Sequence, residues 1–234
     1  MIPPKGIFAV YKEEGMTSYG VVDAVRRLTG AKRVGHAGTL DPCAKGVLVV
    51  GVGRAATKQL GLVVGTEKEY VARIRLGWRS TTDDREGRKE EVQPVEIPSE
   101  EQVRQALKSF EGTISQRPPV FSAVKIGGRT AYKLARKRKM DPQELASLLL
   151  PRKVEVKKIE LLGYSWPHVD VRLITGPGFY VRSLAHDLGE RLGTGGYLDQ
   201  LERIRVGIYT KEQAVRLSDL AQSIHRTIDS KPGD

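Results

Sequence analysis

The stretch GHAGTLDPCAKG (35–46) packs three glycines, one histidine, one aspartate, one proline and the chain's only cysteine into twelve residues. Four chemistries fit such a set: a phosphate cradle, a metal centre, a reactive thiol, or a loop that presents one carboxylate. A P-loop needs Gly-Lys followed by Ser or Thr, and no Gly-Lys pair occurs in the chain. GVGRAA (51–56) imitates a dinucleotide fingerprint, but the βαβ context and the later acid that the fingerprint requires are poorly supplied. The four histidines (His36, His168, His186, His225) are scattered, and a single Cys cannot build a Cys-rich zinc site, so no metal is expected.

Cys43 with His36 offers a Cys–His pair, although a free Cys more often packs as a small hydrophobe. For Asp41, Gly35 and Gly38 open backbone geometry closed to other residues, and Pro42 stiffens the chain just after the acid. The same residues suit an Asx turn in which Asp41 only caps the backbone. Composition alone favours the turn-capping reading of Asp41.

The surrounding elements follow from periodicity. GIFAVYK (6–12) reads as a strand, and Thr17 or Ser18 then caps a helix with Val21, Val22, Val25 and Leu28 on one face, stopped by Gly30. VLVVGVG (47–53) is a continuous apolar run and predicts a buried strand. EYVARIRLG (69–77) alternates, with Tyr70, Ala72, Ile74 and Leu76 sharing a face. STTDDREGRKEE (80–91) reads as a charged loop or hairpin end.

Ser99 with Gln102 forms a capping box, and DPQELASLLL (141–150) starts like a short helix. Residues 154–164 and 169–175 alternate as strands, FYVRSLAHDLGERLG (179–193) reads as a helix, residues 201–209 end in strand, and 217–228 form a last helix. Strands and helices mix without a regular βαβ repeat. That predicts an α+β fold with a mainly antiparallel mixed sheet flanked by helices.

The 234 residues carry 39 Lys and Arg against 28 Asp and Glu, a net charge of +11 with pI near 9.8. A chain this basic points to a polyanionic partner, and nucleic acid fits better than a small acidic metabolite. One cysteine excludes an internal disulfide and suits a reducing compartment. The N-terminal apolar run is too short for a signal peptide, and no run reaches a membrane span. The expectation is a cytoplasmic protein that engages no membrane.

Several boxes, in order, resemble the TruB family of tRNA pseudouridine synthases. Residues 35–58 look like its signature, KEEGMTS (12–18) its N-terminal box, EKEYVARIRLG (67–77) its Lys-x-Tyr strand and TDDREG (82–87) its Thr-x-Asp-x-x-Gly loop. RPPVFSAVKIGGRTAYKLAR (117–136), GPGFYVRSLAHDLG (176–189) and LERIRVG (201–207) resemble three further family segments. Each box is modest; their shared order from residue 12 to about 220 is highly specific.

The resemblance implies a pseudouridine synthase fold and isomerisation of an RNA uridine, with the T-arm uridine (position 55) of tRNA as target. Pseudouridine formation breaks the N1–C1′ bond, turns the base and rejoins it through C5. It requires neither cofactor nor metal. Asp41 is implied as the catalytic carboxylate, attacking C1′ or C6 or assisting a glycal route. Arg182 would pair with it, keeping it charged and oriented. Tyr70 would stack on the uracil, and His36 would take the place of the extruded base. Lys12 would support the loop. Asp84 matches a family acid, and a hairpin-turn role suits it equally.

The basic stretch Lys125–Lys139, with Lys125, Tyr132 and Arg136, falls in an RNA-gripping insertion over about 115–153. The implied organisation is a catalytic domain over 1–215 and a C-terminal helix and tail over 216–234, without a full C-terminal PUA domain. A monomer acting on the tRNA T-arm is expected.

This chain departs from the family pattern at Glu13, Ala37 and Cys43, and RKMDPQELASLLL replaces a short glycine-containing link. Three rivals remain: the guide-RNA-dependent branch of the superfamily, a catalytically idle RNA-binding module, and a thiol enzyme using Cys43.

Overall fold

The structure, a computed structural model, describes residues 5–136 and 140–229, with the side chains of Arg136, 142–143 and 224–229 outside that description. Along the chain run β1 (Gly6–Lys12), α1 (Ser18–Thr29), β2 (Val34–His36), β3 (Lys45–Val52), α2 (Arg54–Val64), β4 (Lys68–Leu76), β5 (Trp78–Ser80) and β6 (Lys89–Glu91). Then come α3 (Glu100–Lys108), β7 (Gly112–Gln116), β8 (Lys125–Ile126), β9 (Arg129–Thr130), α4 (Ala131–Arg136), α5 (Pro142–Leu148) and β10 (Arg152–Ser165). The rest are β11 (His168–Thr175), α6 (Val181–Arg191), β12 (Gly196–Val206), β13 (Tyr209–Thr210) and α7 (Leu217–Asp229).

The class is α+β, built on a nine-stranded sheet with the order β1-β3-β12-β4-β11-β10-β7 and with β2 and β13 added beside β3 and β12. Among the described residues no helix is long and apolar enough to cross a membrane. The chain forms two compact units, residues 1–70 with 201–234, and residues 71–200.

In the first unit β1 pairs antiparallel with β3 from Gly6↔Val52 to Lys12↔Gly46. β3 is buried from Gly46 to Val52 because both its faces are covered, as a continuous apolar run requires. Leu48, Val50 and Val52 pack with Val21 and Val25 of α1 and Leu220 of α7. Val47 and Val49 pack on the other side with Ala9, Leu60 of α2 and Val206. α1 starts where the Thr17 hydroxyl accepts from the Gly20 amide and stops at Gly30 in the left-handed region (φ 65°).

Three features differ from the sequence expectation. α2 was not anticipated: Gly53 starts it without a side-chain cap, and it buries only Ala56 and Leu60. β2 is a strand inside the glycine-rich stretch, paired with β3 at His36↔Val50. β12 begins at Gly196, five residues before Leu201, and pairs parallel to β3 at Glu202↔Lys45 and Arg203↔Gly46.

In the second unit the alternating residues of β4 face inward as the period of two predicts: Ala72, Ile74 and Leu76 are buried. β10 pairs with β11 on one side and β7 on the other. α3 carries the expected capping box from Ser99 and Gln102. The segment with Lys125 and Tyr132 has its own small core, in which Ala131 and Leu134 of α4 meet Leu145 of α5 and Leu149. Of the basic stretch 125–139, residues 137–139 and the Arg136 side chain lie outside the described residues.

Candidate active site

The loop between β2 and β3 is fastened on both sides of Asp41. At its start the Ala37 amide donates to the Val49 carbonyl at 2.8 Å, which continues the β2–β3 ladder. The buried Ser18 hydroxyl donates to the Leu40 carbonyl and accepts from the Leu40 amide, both at 2.9 Å. Thr17 therefore caps α1, and Ser18 is used to hold the residue before Asp41. After Asp41, the Pro42 carbonyl accepts from the Gly15 amide at 2.9 Å and from Lys12 Nζ at 3.3 Å. The Ala44 amide closes a turn onto the Asp41 carbonyl at 3.1 Å. Asp41 itself is half-buried, with a turn beneath it and its main chain held.

Two buried cations sit under this loop. Lys12 also donates to the carbonyls of Glu13 at 3.0 Å and Met16 at 2.6 Å. Burial lowers its pKa to about 8, with Cys43 and Asp41 pulling the other way. Arg203, 2% exposed, donates from Nε to the Val47 carbonyl at 2.8 Å and from its terminal nitrogens to Thr39 at 3.3 Å and Gly38 at 3.2 Å. One guanidinium thus ties the start of the Asp41 loop to the strand that leaves it. Its charge also acts on the buried Tyr70 phenol, where it opposes the effect of burial.

Glycine is required where the loop meets that arginine. Gly46 has φ 114°, and a Cβ there would strike the backbone of Arg203.

Tyr70 is buried on β4. Burial raises its pKa above the ordinary tyrosine value, partly offset by Arg203, while the Asp41 charge raises it further. Its phenol is therefore neutral at pH 7 and offers a ring and a hydroxyl, not a phenolate. His36, on β2, has its pKa lowered by burial and by Arg203, so it stands as a neutral imidazole. Asp41, Tyr70, His36 and Lys12 thus belong to one unit. Cys43 is buried, as a filler residue would be.

The other named residues belong to the second unit. Arg182, at the start of α6, is 5% exposed. Its Nε lies 3.8 Å from Asp84 Oδ2, and its terminal nitrogens donate to the carbonyls of Thr82 at 3.3 Å and Phe121 at 2.9 Å. Asp84 is buried too, and its Oδ1 accepts from the Thr82 hydroxyl and, at 2.9 Å, from the Glu86 amide. It is both a turn residue and the carboxylate beside Arg182. Lys125 and Tyr132 are exposed on the hairpin–helix insertion.

Arg203 was missed by sequence reasoning. LERIRVG reads as an ordinary alternating strand, with Arg203 and Arg205 equivalent. Phase gave a partial signal, since Arg203 lies two residues from the buried Leu201, but Arg205 shares that phase and only the fold separates the two. Arg205 instead bonds Glu69 at 3.0 Å and Glu67 at 2.7 Å.

Comparisons with known proteins agree with the ordered boxes. The model of the TruB family pseudouridylate synthase N-terminal domain matches residues 26–181, and that of the tRNA pseudouridylate synthase B C-terminal domain matches 182–232. A tRNA pseudouridine synthase B from Thermobifida fusca is 47% identical over 224 residues, covering 92% of this chain and 74% of that protein. The one from Mycobacterium tuberculosis (strain H37Rv) is 42% identical, covering 93% and 72%.

Among solved structures, a chain of a Cbf5-Nop10-Gar1 complex superimposes with TM-score 0.74 at 29% identity, covering 98% of this chain. A chain of an H/ACA RNP bound to a substrate RNA containing 2′-deoxyuridine gives 0.71 at 27%, also covering 98%. This chain spans 57% and 56% of those two chains. With both family models matched end to end across residues 26–232, this chain belongs to the TruB family of pseudouridylate synthases and is an enzyme that isomerises uridine to pseudouridine in RNA.

Proposed function

We propose that this protein acts on tRNA and isomerises the T-arm uridine, position 55, with Asp41 as the catalytic carboxylate. One observation carries the reading. Asp41 is half-buried on a loop whose neighbouring carbonyls are held by Lys12 and Ser18, with Arg203 spanning the loop's base. A carboxylate that must meet a sugar or base carbon in a fixed approach gains from such a mount, since misplacement by about 1 Å can cost 10²-fold.

In this reading Arg182 supplies the guanidinium that aims the carboxylate. Tyr70 presents its neutral ring to the uracil, and His36 fills the gap left by the flipped nucleotide. Asp84 positions Arg182. Lys125, Tyr132 and Arg136 contribute to gripping RNA from an insertion over 115–153. The catalytic domain is taken as residues 1–215, with 216–234 as a C-terminal helix and tail. The protein works as a cytoplasmic monomer.

A tRNA substrate is supported by identity of 47% to a protein named as a tRNA pseudouridine synthase, against 29% to a chain of a Cbf5-Nop10-Gar1 complex. Mapping pseudouridine in unmodified tRNA transcripts after incubation with the protein, with no addition, tests the reading. Product at T-arm position 55 supports it. No product in any transcript, or product only elsewhere, refutes it.

A further inference from the structure

Behind the Asp41 loop, and on the same unit, lies a hollow of about 520 Å³ between α1, β2 and α2. Its walls include Arg26, Lys32, Arg33 and His36. We infer that this hollow holds backbone phosphates of the RNA strand next to the nucleotide that His36 displaces. The inference rests on the proposed function, because it takes His36 as the residue that meets the RNA stack.

Charge is the first support. Residues 20–64 hold seven Lys and Arg but only Asp23 and Asp41 as acids. Asp23 is engaged by Arg26 at 3.3 Å and Arg27 at 2.6 Å. Lys32 and Arg33 are exposed and have no carboxylate partner among the described residues. Cations left unneutralised together at a concave surface repel one another, and an anion between them removes that cost.

Position is the second support. Lys32, at a bend, and Arg33 precede β2 and lie within four residues of His36. That segment is fixed: the Gly53 amide donates to the Arg33 carbonyl at 2.8 Å, and Val34 and Gly35 pair with Val52 and Gly51 of β3. In this inference the sugar–phosphate chain of a strand whose nucleotide meets His36 follows the wall of the hollow that Lys32 and Arg33 share with His36.

Chemistry is the third. An arginine fork and a lysine point charge are the usual pair for phosphate oxygens. Apolar Val34, Leu60 and Val64 on the same walls lower the local dielectric without adding competing acceptors.

The test uses the full chain and an unmodified tRNA transcript, with Kd measured over a salt series and turnover measured at saturating RNA. The Lys32→Gln/Arg33→Gln double variant should weaken Kd by about tenfold and reduce the log–log salt slope by about 1–2, as loss of two phosphate contacts requires. KM should rise in step while kcat stays unchanged. Lys32→Arg/Arg33→Lys should restore most of the affinity. Arg104→Gln/Lys108→Gln removes the same charge from exposed α3 positions and should stay within about twofold of wild type.

Wild-type Kd and salt slope in the hollow variant would overturn the inference. So would an equal loss in the α3 variant, which would reduce the effect to net charge. Absence of pseudouridine with wild-type protein would refute the function itself, and the comparison of salt slopes would still judge the hollow.

Discussion

Arg203 Nε donates to the carbonyl of Val47 at 2.8 Å, and the same guanidinium reaches the carbonyls of Gly38 and Thr39. The two ends of the Asp41 loop are therefore bound to one buried cation on the neighbouring parallel strand. These three acceptors are met by three different nitrogens of one planar group, a spread that the single Nζ of a lysine does not reproduce. Arg203→Lys is expected to lower kcat by about 10²-fold with KM little changed, by misplacing Asp41. Arg203→Met should cost stability as well, about 1–3 kcal/mol for the buried Val47 carbonyl left without its donor. Kinetics on a T-arm RNA together with thermal unfolding read both effects; wild-type kcat in Arg203→Lys would contradict them.

Asp41→Asn keeps the side chain's shape and removes its charge and nucleophilicity. Pseudouridine formation should fall below detection while Kd for tRNA stays within a few-fold of wild type. Cys43→Ala should turn over normally, because the buried thiol acts as packing. An inactive, folded Cys43→Ala would instead place the chemistry at sulfur.

Lys12 and Lys68 are both buried, and both have pKa values lowered to about 8. Between that value and the lysine value of 10.5 the unfolded chain binds more protons than the folded one. Stability therefore rises with pH through the window from about 8 to 10 and falls as pH drops through 8. Denaturant unfolding at several pH values should show this slope in wild type. Lys12→Met and Lys68→Met should each reduce it, and the double variant should flatten it. An unchanged slope in both single variants would show that these ammonium groups are not perturbed.

Gly46→Ala places a Cβ against the Arg203 backbone at a residue with φ 114°. Neither partner can retreat, because Arg203 and Gly46 are directly paired between β12 and β3. A loss of at least about 2–3 kcal/mol is expected, with activity lost in parallel. Urea unfolding measures the first, and a midpoint within experimental error of wild type would contradict it.

Much of this molecule is decided locally and is therefore visible in the one-dimensional string. The alternation around Tyr70, the apolar run of β3, the Thr17 cap, the Gly30 stop and the Ser99–Gln102 box are short-range effects of side-chain period and capping. Asp41, Tyr70 and Arg182 were also named from the sequence, but through the family boxes. Composition alone favoured a turn-capping Asp41, and the ordered boxes reversed that reading.

Tertiary structure decided what no local pattern contains. α2 escaped notice because Gly53 starts it without a side-chain cap, so the usual signal for a helix start is missing. Arg203 looked like any strand arginine. Its role exists only because β12 lies parallel beside β3 and carries a residue about 160 positions away under the Gly38–Val47 loop. Ser18 likewise changed from a helix cap to the anchor of Leu40. Burial of Lys12, Lys68 and Arg203 is the common physical cause: desolvated cations need carbonyl acceptors, and only the folded chain brings those acceptors to them.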